Sequence, residues 1–195
     1  MSKGTEGHFD TLPIGRLGLI PLNSSAALGK KVDDYLVSWR KGRGNEFAEK
    51  YVAAYEGYER DSYIIQSQVP RFGSGEAKGI INESVRGDDI YLMVDVCNYS
   101  LTYNIGQYTN LMSPDDHFQD LKRVIAAIGG KARRVNVIMP YLYESRQSKR
   151  TGRESLDCAS ALQELTGMGV ENIITFDAHD ARVQNATPLH GFETI

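Results

Sequence analysis

Residues 113–139 read SPDDHFQDLKRVIAAIGGKARRVNVIM, and this stretch decides the fold. Ser113 is a natural N-cap, Pro114 suits the first helical position, and Asp115 and Asp116 favour the positive end of a helix dipole. Phe118, Leu121, Val124, Ile125 and Ile128 then recur at helical spacing and form one apolar face. Gly129 and Gly130 end the helix. Val135–Met139 is a nearly continuous apolar run, typical of a strand buried on both faces.

The same alternation repeats downstream. Ser155–Thr166 reads as a helix with Leu156, Ala159, Leu162 and Leu165 on one side, closed by Gly167 and Gly169. Ile173–Phe176 is the next buried strand. Helix, strand, helix, strand with short connections predicts a parallel sheet covered by helices. Upstream, Gly18–Leu22 suits a first strand, and Asn23, Ser24 and Ser25 offer caps for a helix carrying Leu28, Val32, Tyr35, Leu36 and Trp39. Gly42, Gly44 and Asn45 are expected to break that helix, and Phe47–Tyr58 to form a short second one. Ser62–Val69, Lys78–Val85 and Asp89–Val94 read as strands, the last two joined by Arg86-Gly87-Asp88. Asn98–Leu111 is polar and Tyr-rich and is expected to be a long loop.

Composition narrows the function classes. A net charge of −3 provides no overall field toward nucleic acid or anionic lipid, so any anion site must be local. No apolar run approaches the roughly 20 residues of a membrane span, and Met1–Asp10 has no apolar signal core. A cytoplasmic protein is expected. Cys97 and Cys158 match no zinc or redox spacing and read as reduced, packed thiols.

Four segments carry candidate chemistry. The loop after Met139 holds Arg146, Gln147, Lys149, Arg150 and Arg153, which can neutralise a polyphosphate at a strand's carboxyl end. The same residues also suit a solvated basic loop. Asp177 and His179, two apart after the next strand, can face one site. Magnesium commonly takes only one or two protein ligands beside phosphate and water, although His179 equally suits a loop hydrogen bond. Phe72-Gly73-Ser74-Gly75-Glu76 reads as a hairpin turn. Ser84 and Arg86 end a strand as a small anion site or a plain turn.

The order of these fragments is specific. Arg71-Phe72, Gly75-Glu76 and Asn82-Glu83-Ser84-Val85-Arg86-Gly87-Asp88-Asp89-Ile90 resemble the R-F-x-D-G-E and N-E-S-V-R-G-x-D-V runs of the phosphoribosyl-pyrophosphate (PRPP) synthetases. Asn136–Pro140, Tyr141, Tyr143 and Arg146-Gln147 resemble that family's I-P-Y turn and R-Q loop. Ile173–His179 resembles its I-T-x-D-L-H segment, and Asn23-Ser24 its G-N-S-N opening. The resemblance spans nearly the whole chain, apart from insertions near Lys41–Glu59 and Asn98–Leu111. It implies an α/β, three-layer, phosphoribosyltransferase-like fold: a mostly parallel sheet flanked by helices, with an antiparallel hairpin extension.

It further implies that residues 1–195 form one N-terminal, ATP- and magnesium-binding domain, with the PRPP and ribose 5-phosphate domain absent. The family transfers diphosphate from ATP to ribose 5-phosphate, giving PRPP and AMP. Phe72, Glu76, Arg146 and Gln147 would contact ATP. His179 would ligate Mg2+ with Asp177 in support, and Ser84 and Arg86 would match a regulatory anion site. Phe72 and Glu76 would reach a neighbouring subunit's adenine pocket in a homo-oligomer, a dimer or a hexamer. No catalytic residue lies within this fragment, which alone is not expected to make PRPP. Ser74 and Ser148 stand where the family usually has Asp, and Asp180-Ala181-Arg182-Val183-Gln184 departs from its usual run. These departures also fit a non-catalytic, PRPP-synthetase-associated regulatory subunit.

Overall fold

A single register row, Ile20–Leu92–Val137–Ile173–Phe192, crosses five parallel strands. These strands are β1 (Leu17–Pro21), β4 (Asp89–Met93), β7 (Arg134–Ile138), β8 (Asn172–Thr175) and β9 (Gly191–Thr194), in the spatial order β1-β4-β7-β8-β9. The computed structural model describes residues 14–47 and 60–195. Two antiparallel pairs stand apart from the sheet: β2 (Ser67–Gln68) with β3 (Ile80–Ile81), and β5 (Thr102–Ile105) with β6 (Tyr108–Leu111). The helices are α1 (Ala26–Phe47), α2 (Pro114–Ile128) and α3 (Asp157–Gly167).

Side chains alternate across a pleated sheet, so Ile20, Ile90, Leu92, Val135, Val137 and Ile173 share one face. They join one core with Phe118, Leu121, Val124 and Ile125 of α2 and Cys158, Leu162 and Leu165 of α3. Pro21 points to the other face, where α1 packs on it through Gly29. A Cβ on Gly29 would lie 2.3 Å from the Pro21 Cβ, so only glycine allows this approach. Helices therefore cover both faces, as the three-layer expectation requires.

A parallel bridge between Leu19 and Ile64 places residues 63–65 on the free side of β1. The Leu19 N–H donates to the Tyr63 carbonyl and the Ile65 N–H to the Leu19 carbonyl. Buried Asp33 of α1 anchors that segment, accepting from the Tyr63 N–H at 2.7 Å and the Ser62 hydroxyl at 2.8 Å. The chain thus leaves β1 to one side and returns on the other, making a topological switch beside β1. In open α/β sheets that is where ligands gather, at the carboxyl ends of the strands.

The start of α2 forms as its sequence requires. Ser113 and Asp116 close a reciprocal capping box, Pro114 opens the helix, and Gly129 caps its end with φ 59°. Several other expectations are corrected. Gly42 and Gly44 do not stop α1, which continues to Phe47. Glycine costs only about 1 kcal/mol in a helix interior, and it terminates a helix when it turns left-handed. The expected helix over Phe47–Tyr58 lies, beyond Phe47, outside the described residues.

Asn98–Leu111 is not a loop throughout, because it contains the β5–β6 hairpin. Thr102, Tyr103, Ile105, Tyr108 and Thr109 are strand formers, and Gly106 supplies φ 57° in the two-residue turn. Most of the hairpin's residues are exposed, so burial alternation gave no signal. Among the described residues, Asn23, Ser24 and Ser25 make no side-chain cap. Instead the Ser24 hydroxyl accepts from the Asp95 N–H at 3.1 Å. The apolar stripe of α1 is not all core, since Leu28, Tyr35 and Trp39 are exposed. Ser62–Val69 and Lys78–Val85 shrink to the short β2 and β3, and β9 was not anticipated.

Candidate functional site

Two carboxyl-end segments meet beyond β7 and β8. Tyr141 forms a parallel bridge with Asp177, and the Leu142 N–H donates to the Asp177 carbonyl. The His179 N–H donates to the buried Ser145 hydroxyl at 2.7 Å. Arg146 follows Ser145 directly, so the basic loop and the Asp177–His179 segment occupy the same end of the sheet. Asp180 also feels the charge of Lys149.

The loop is anchored on its other side by Tyr143. Its ring stacks on Phe118 of α2 with centroids 4.3 Å apart, and its hydroxyl donates to Asp115 at 2.6 Å. Burial, then the hydrogen bond to Asp115, pushes the Tyr143 phenol far up, so it remains a donor. Between Tyr143 and Ser145, Glu144 adopts φ 55°, the one non-glycine residue with positive φ among those described. A left-handed L-residue costs about 1 kcal/mol, and such strain collects where a loop must present a particular shape. Here it lets the Glu144 carbonyl accept from the Gln147 N–H at 2.9 Å. Burial and then the charges of Asp157 and Asp115 raise the Glu144 carboxyl.

Arg146, Lys149, Arg150 and Arg153 are exposed and form no ion pair among the described residues. Asp177 and His179 are also exposed. Gln147 differs: its side-chain amide donates to the carbonyl of Ser155 at 2.8 Å and holds the loop closed. Asp180 is engaged by Arg182 through paired hydrogen bonds that hold its carboxyl well below the usual range. Among the described residues, no group of three or more His, Cys, Asp or Glu converges on a metal position. His179 with Asp177 therefore suits only a cation that draws most of its ligands from phosphate and water, which is the habit of magnesium.

The remaining candidates lie elsewhere. Phe72 and Glu76 occupy an exposed turn closed by the Phe72 N–H to the Glu76 carbonyl and the Gly75 N–H to the Phe72 carbonyl. The Ser74 hydroxyl donates to the Glu76 carboxylate at 2.9 Å. Among the described residues, no hydrogen bond or ion pair links this turn to the Arg146 loop. Ser84 and Arg86 precede β4, at the amino end of the sheet, opposite His179. There the Arg86 N–H donates to the Ser84 hydroxyl, and Arg16 donates to the Ser84 carbonyl and to buried Asp88.

A small cavity lies at the switch point, bordered by Ser24, Ser67, Val69, His117 and Asp120 among others. Its volume of about 20 Å³ suits one or two waters rather than a nucleotide. Sequence reasoning missed Ser145 as the group that joins the two segments and Tyr143 as the anchor of the loop on α2. A serine within a charged loop carries no spacing signal, and Tyr143 shows its role only once α2 lies beside it.

Comparisons with known proteins agree with this architecture. A family model described as the N-terminal domain of ribose phosphate pyrophosphokinase matches residues 17–169. Ribose-phosphate pyrophosphokinase of Synechococcus elongatus is 27% identical over 162 residues, 82% of this chain and 44% of that protein. Ribose-phosphate pyrophosphokinase 1 of Schizosaccharomyces pombe is 34% identical over 116 residues, 58% of this chain and 25% of that protein. The crystal structure of phosphoribosylpyrophosphate synthetase from Mycobacterium smegmatis shares the fold with a TM-score of 0.58 at 19% identity, covering 92% of this chain and 47% of that one. The chain spans less than half the length of these relatives. With its order of motifs and its parallel sheet, it belongs to the family of the N-terminal domain of ribose phosphate pyrophosphokinase.

Proposed function

We propose that this chain is the ATP- and magnesium-binding half of a ribose-phosphate diphosphokinase. In that reaction the 1-hydroxyl oxygen of ribose 5-phosphate attacks the β-phosphorus of ATP. The bond between the α–β bridging oxygen and that phosphorus breaks, and AMP leaves. Such transfer rests on positioning and charge neutralisation more than on a protein nucleophile. The reading is supported chiefly by the Ser145–His179 hydrogen bond, which sets the cationic loop beside the imidazole segment.

In this reading Arg146 grips the phosphates through paired donors, and Lys149, Arg150 and Arg153 offset the negative charge around them. His179, with Asp177 beside it, would hold Mg2+, which when bound would supply positive charge to offset that of the phosphates. Phe72 would stack on adenine, and Glu76 would accept from its amino group. Both belong to a second copy's site in a homo-oligomer. Ribose 5-phosphate would be bound by a second domain, of a size that the relatives' greater length can hold.

Gln147 fits the alternative better than the main reading. Its amide is already engaged within the loop, and Ser74 replaces an acidic contact, as a non-catalytic regulatory subunit would tolerate. Calorimetry separates the two. Mg·ATP should bind, and Arg146→Ala should weaken binding about tenfold, the worth of one charge-assisted contact. Equal affinity in the two proteins would remove the basic loop from the site and favour the regulatory reading.

A further inference from the structure

The β5–β6 hairpin lies within an insertion relative to the family's motifs, and it touches the Phe72 turn. The Gly106 N–H donates to the Gly73 carbonyl at 3.0 Å. Gly75, at φ 89°, sits so close to Ile105 that a Cβ would meet its side chain at 3.0 Å, and Tyr103 Cε2 at 3.7 Å. The Arg71 guanidinium lies 4.6 Å over the Tyr103 ring and donates to Asp120 at 2.9 Å. Asp120 also accepts from Arg123 at 2.6 Å, so Arg71 is tied into α2. Burial, then the nearby Asp116 carboxylate, raises the Tyr103 phenol. Asp116 is the acidic half of the α2 capping box.

These contacts link three elements: the turn, the hairpin, and the first two turns of α2. An exposed five-residue turn held only by its own hydrogen bonds would sample many shapes, and fixing each residue costs conformational entropy. A cation–π contact and a hydrogen bond from a neighbouring hairpin offset part of that cost before any ligand arrives.

We propose that the β5–β6 hairpin braces the Phe72–Glu76 turn, with Tyr103 as the positioning residue that sets its adenine-binding shape. This rests on the reading of Phe72 and Glu76 as adenine contacts. Tyr103 itself touches no ligand in this scheme. It acts through Arg71 and Gly75.

The test titrates the chain with Mg·ATP and with Mg·tripolyphosphate, which has the phosphates but no base. Tyr103→Leu should weaken ATP about tenfold, the equivalent of one cation–π contact, and leave tripolyphosphate unchanged. Tyr103→Phe, which keeps the ring over Arg71, should restore most of the ATP affinity. Equal weakening of both ligands would mean general damage and overturn the proposal. Phe72→Ala is the control for the underlying reading. If it weakens ATP while Tyr103→Leu does not, the brace fails and the adenine assignment stands. If Phe72→Ala has no effect, the assignment fails and the brace has no function to serve. Amide exchange tests the brace without ligand: the Phe72 and Gly75 amides should exchange about tenfold faster in Tyr103→Leu, with β4 and β7 unchanged. Unaltered exchange at those two amides would overturn the brace.

Discussion

The backbone N–H of His179 donates to the hydroxyl of Ser145 across 2.7 Å, joining two segments 34 residues apart. Ser145 is 1% exposed, so the accepting hydroxyl is buried although His179 itself is exposed. It makes the ends of β7 and β8 one surface rather than two independent loops.

Ser145→Ala should therefore do more than remove a hydroxyl. It leaves the part-buried His179 N–H without its partner, at a cost of about 1 kcal/mol. Urea unfolding should show a midpoint shift of that size. Mg·ATP affinity should fall with it, because His179 loses its positional constraint. A variant that matches the parent in both measurements would mean that Ser145 does not position His179.

Asp89 and Arg134 give a second test. Buried Asp89 accepts from Arg134 Nε at 2.8 Å and from the Asn136 amide at 3.0 Å, and that amide also donates to the Ile90 carbonyl. Arg134→Met strands a carboxylate and should cost about 3 kcal/mol. The double variant Asp89→Asn with Arg134→Met should recover much of that loss, because the stranded charge is gone. Equal loss in both variants would show that packing, not charge, holds these strands.

The α2 capping box predicts a pH dependence. Burial of Asp116 acts to raise its carboxyl, but the hydrogen bonds from Ser113 prevail and leave it below its usual value of 3.8. A depressed carboxyl contributes stability that is present above its unfolded value and lost as pH falls through the folded value. Ser113→Ala should destabilise by about 1 kcal/mol near neutral pH. The gap between the two proteins should close below about pH 4, as Asp116 protonates in both. A gap independent of pH would assign the effect to the Ser113–helix bond alone.

Cys158 is fully buried in the core, and burial pushes its thiol up to about 11. At neutral pH it should resist thiol reagents until the chain unfolds. Cys97, partly exposed, should react first, though slowly, since burial and Asp95 raise it as well. Two thiols reacting at one rate in the native protein would contradict this packing.

The basic loop, the Asp177–His179 pair and the capped helix α2 were legible in the letters. Their signals are local: an N-cap five residues before an apolar stripe, an apolar run that only a doubly covered strand needs, charges clustered after it. The β5–β6 hairpin was not, because a hairpin exposed on both faces has no burial alternation to read. Nor was Glu144's left-handed turn visible, since nothing in a glutamate announces positive φ.

The sequence alone determined that helices and buried strands alternate, because periodicity and capping act within a few residues. Only the tertiary structure decided which loops meet. Ser145 with His179, Tyr143 with Phe118, and Tyr103 with Arg71 are brought together by strand order and helix placement. Strand order is set by global packing of the core, and no short window of residues encodes it.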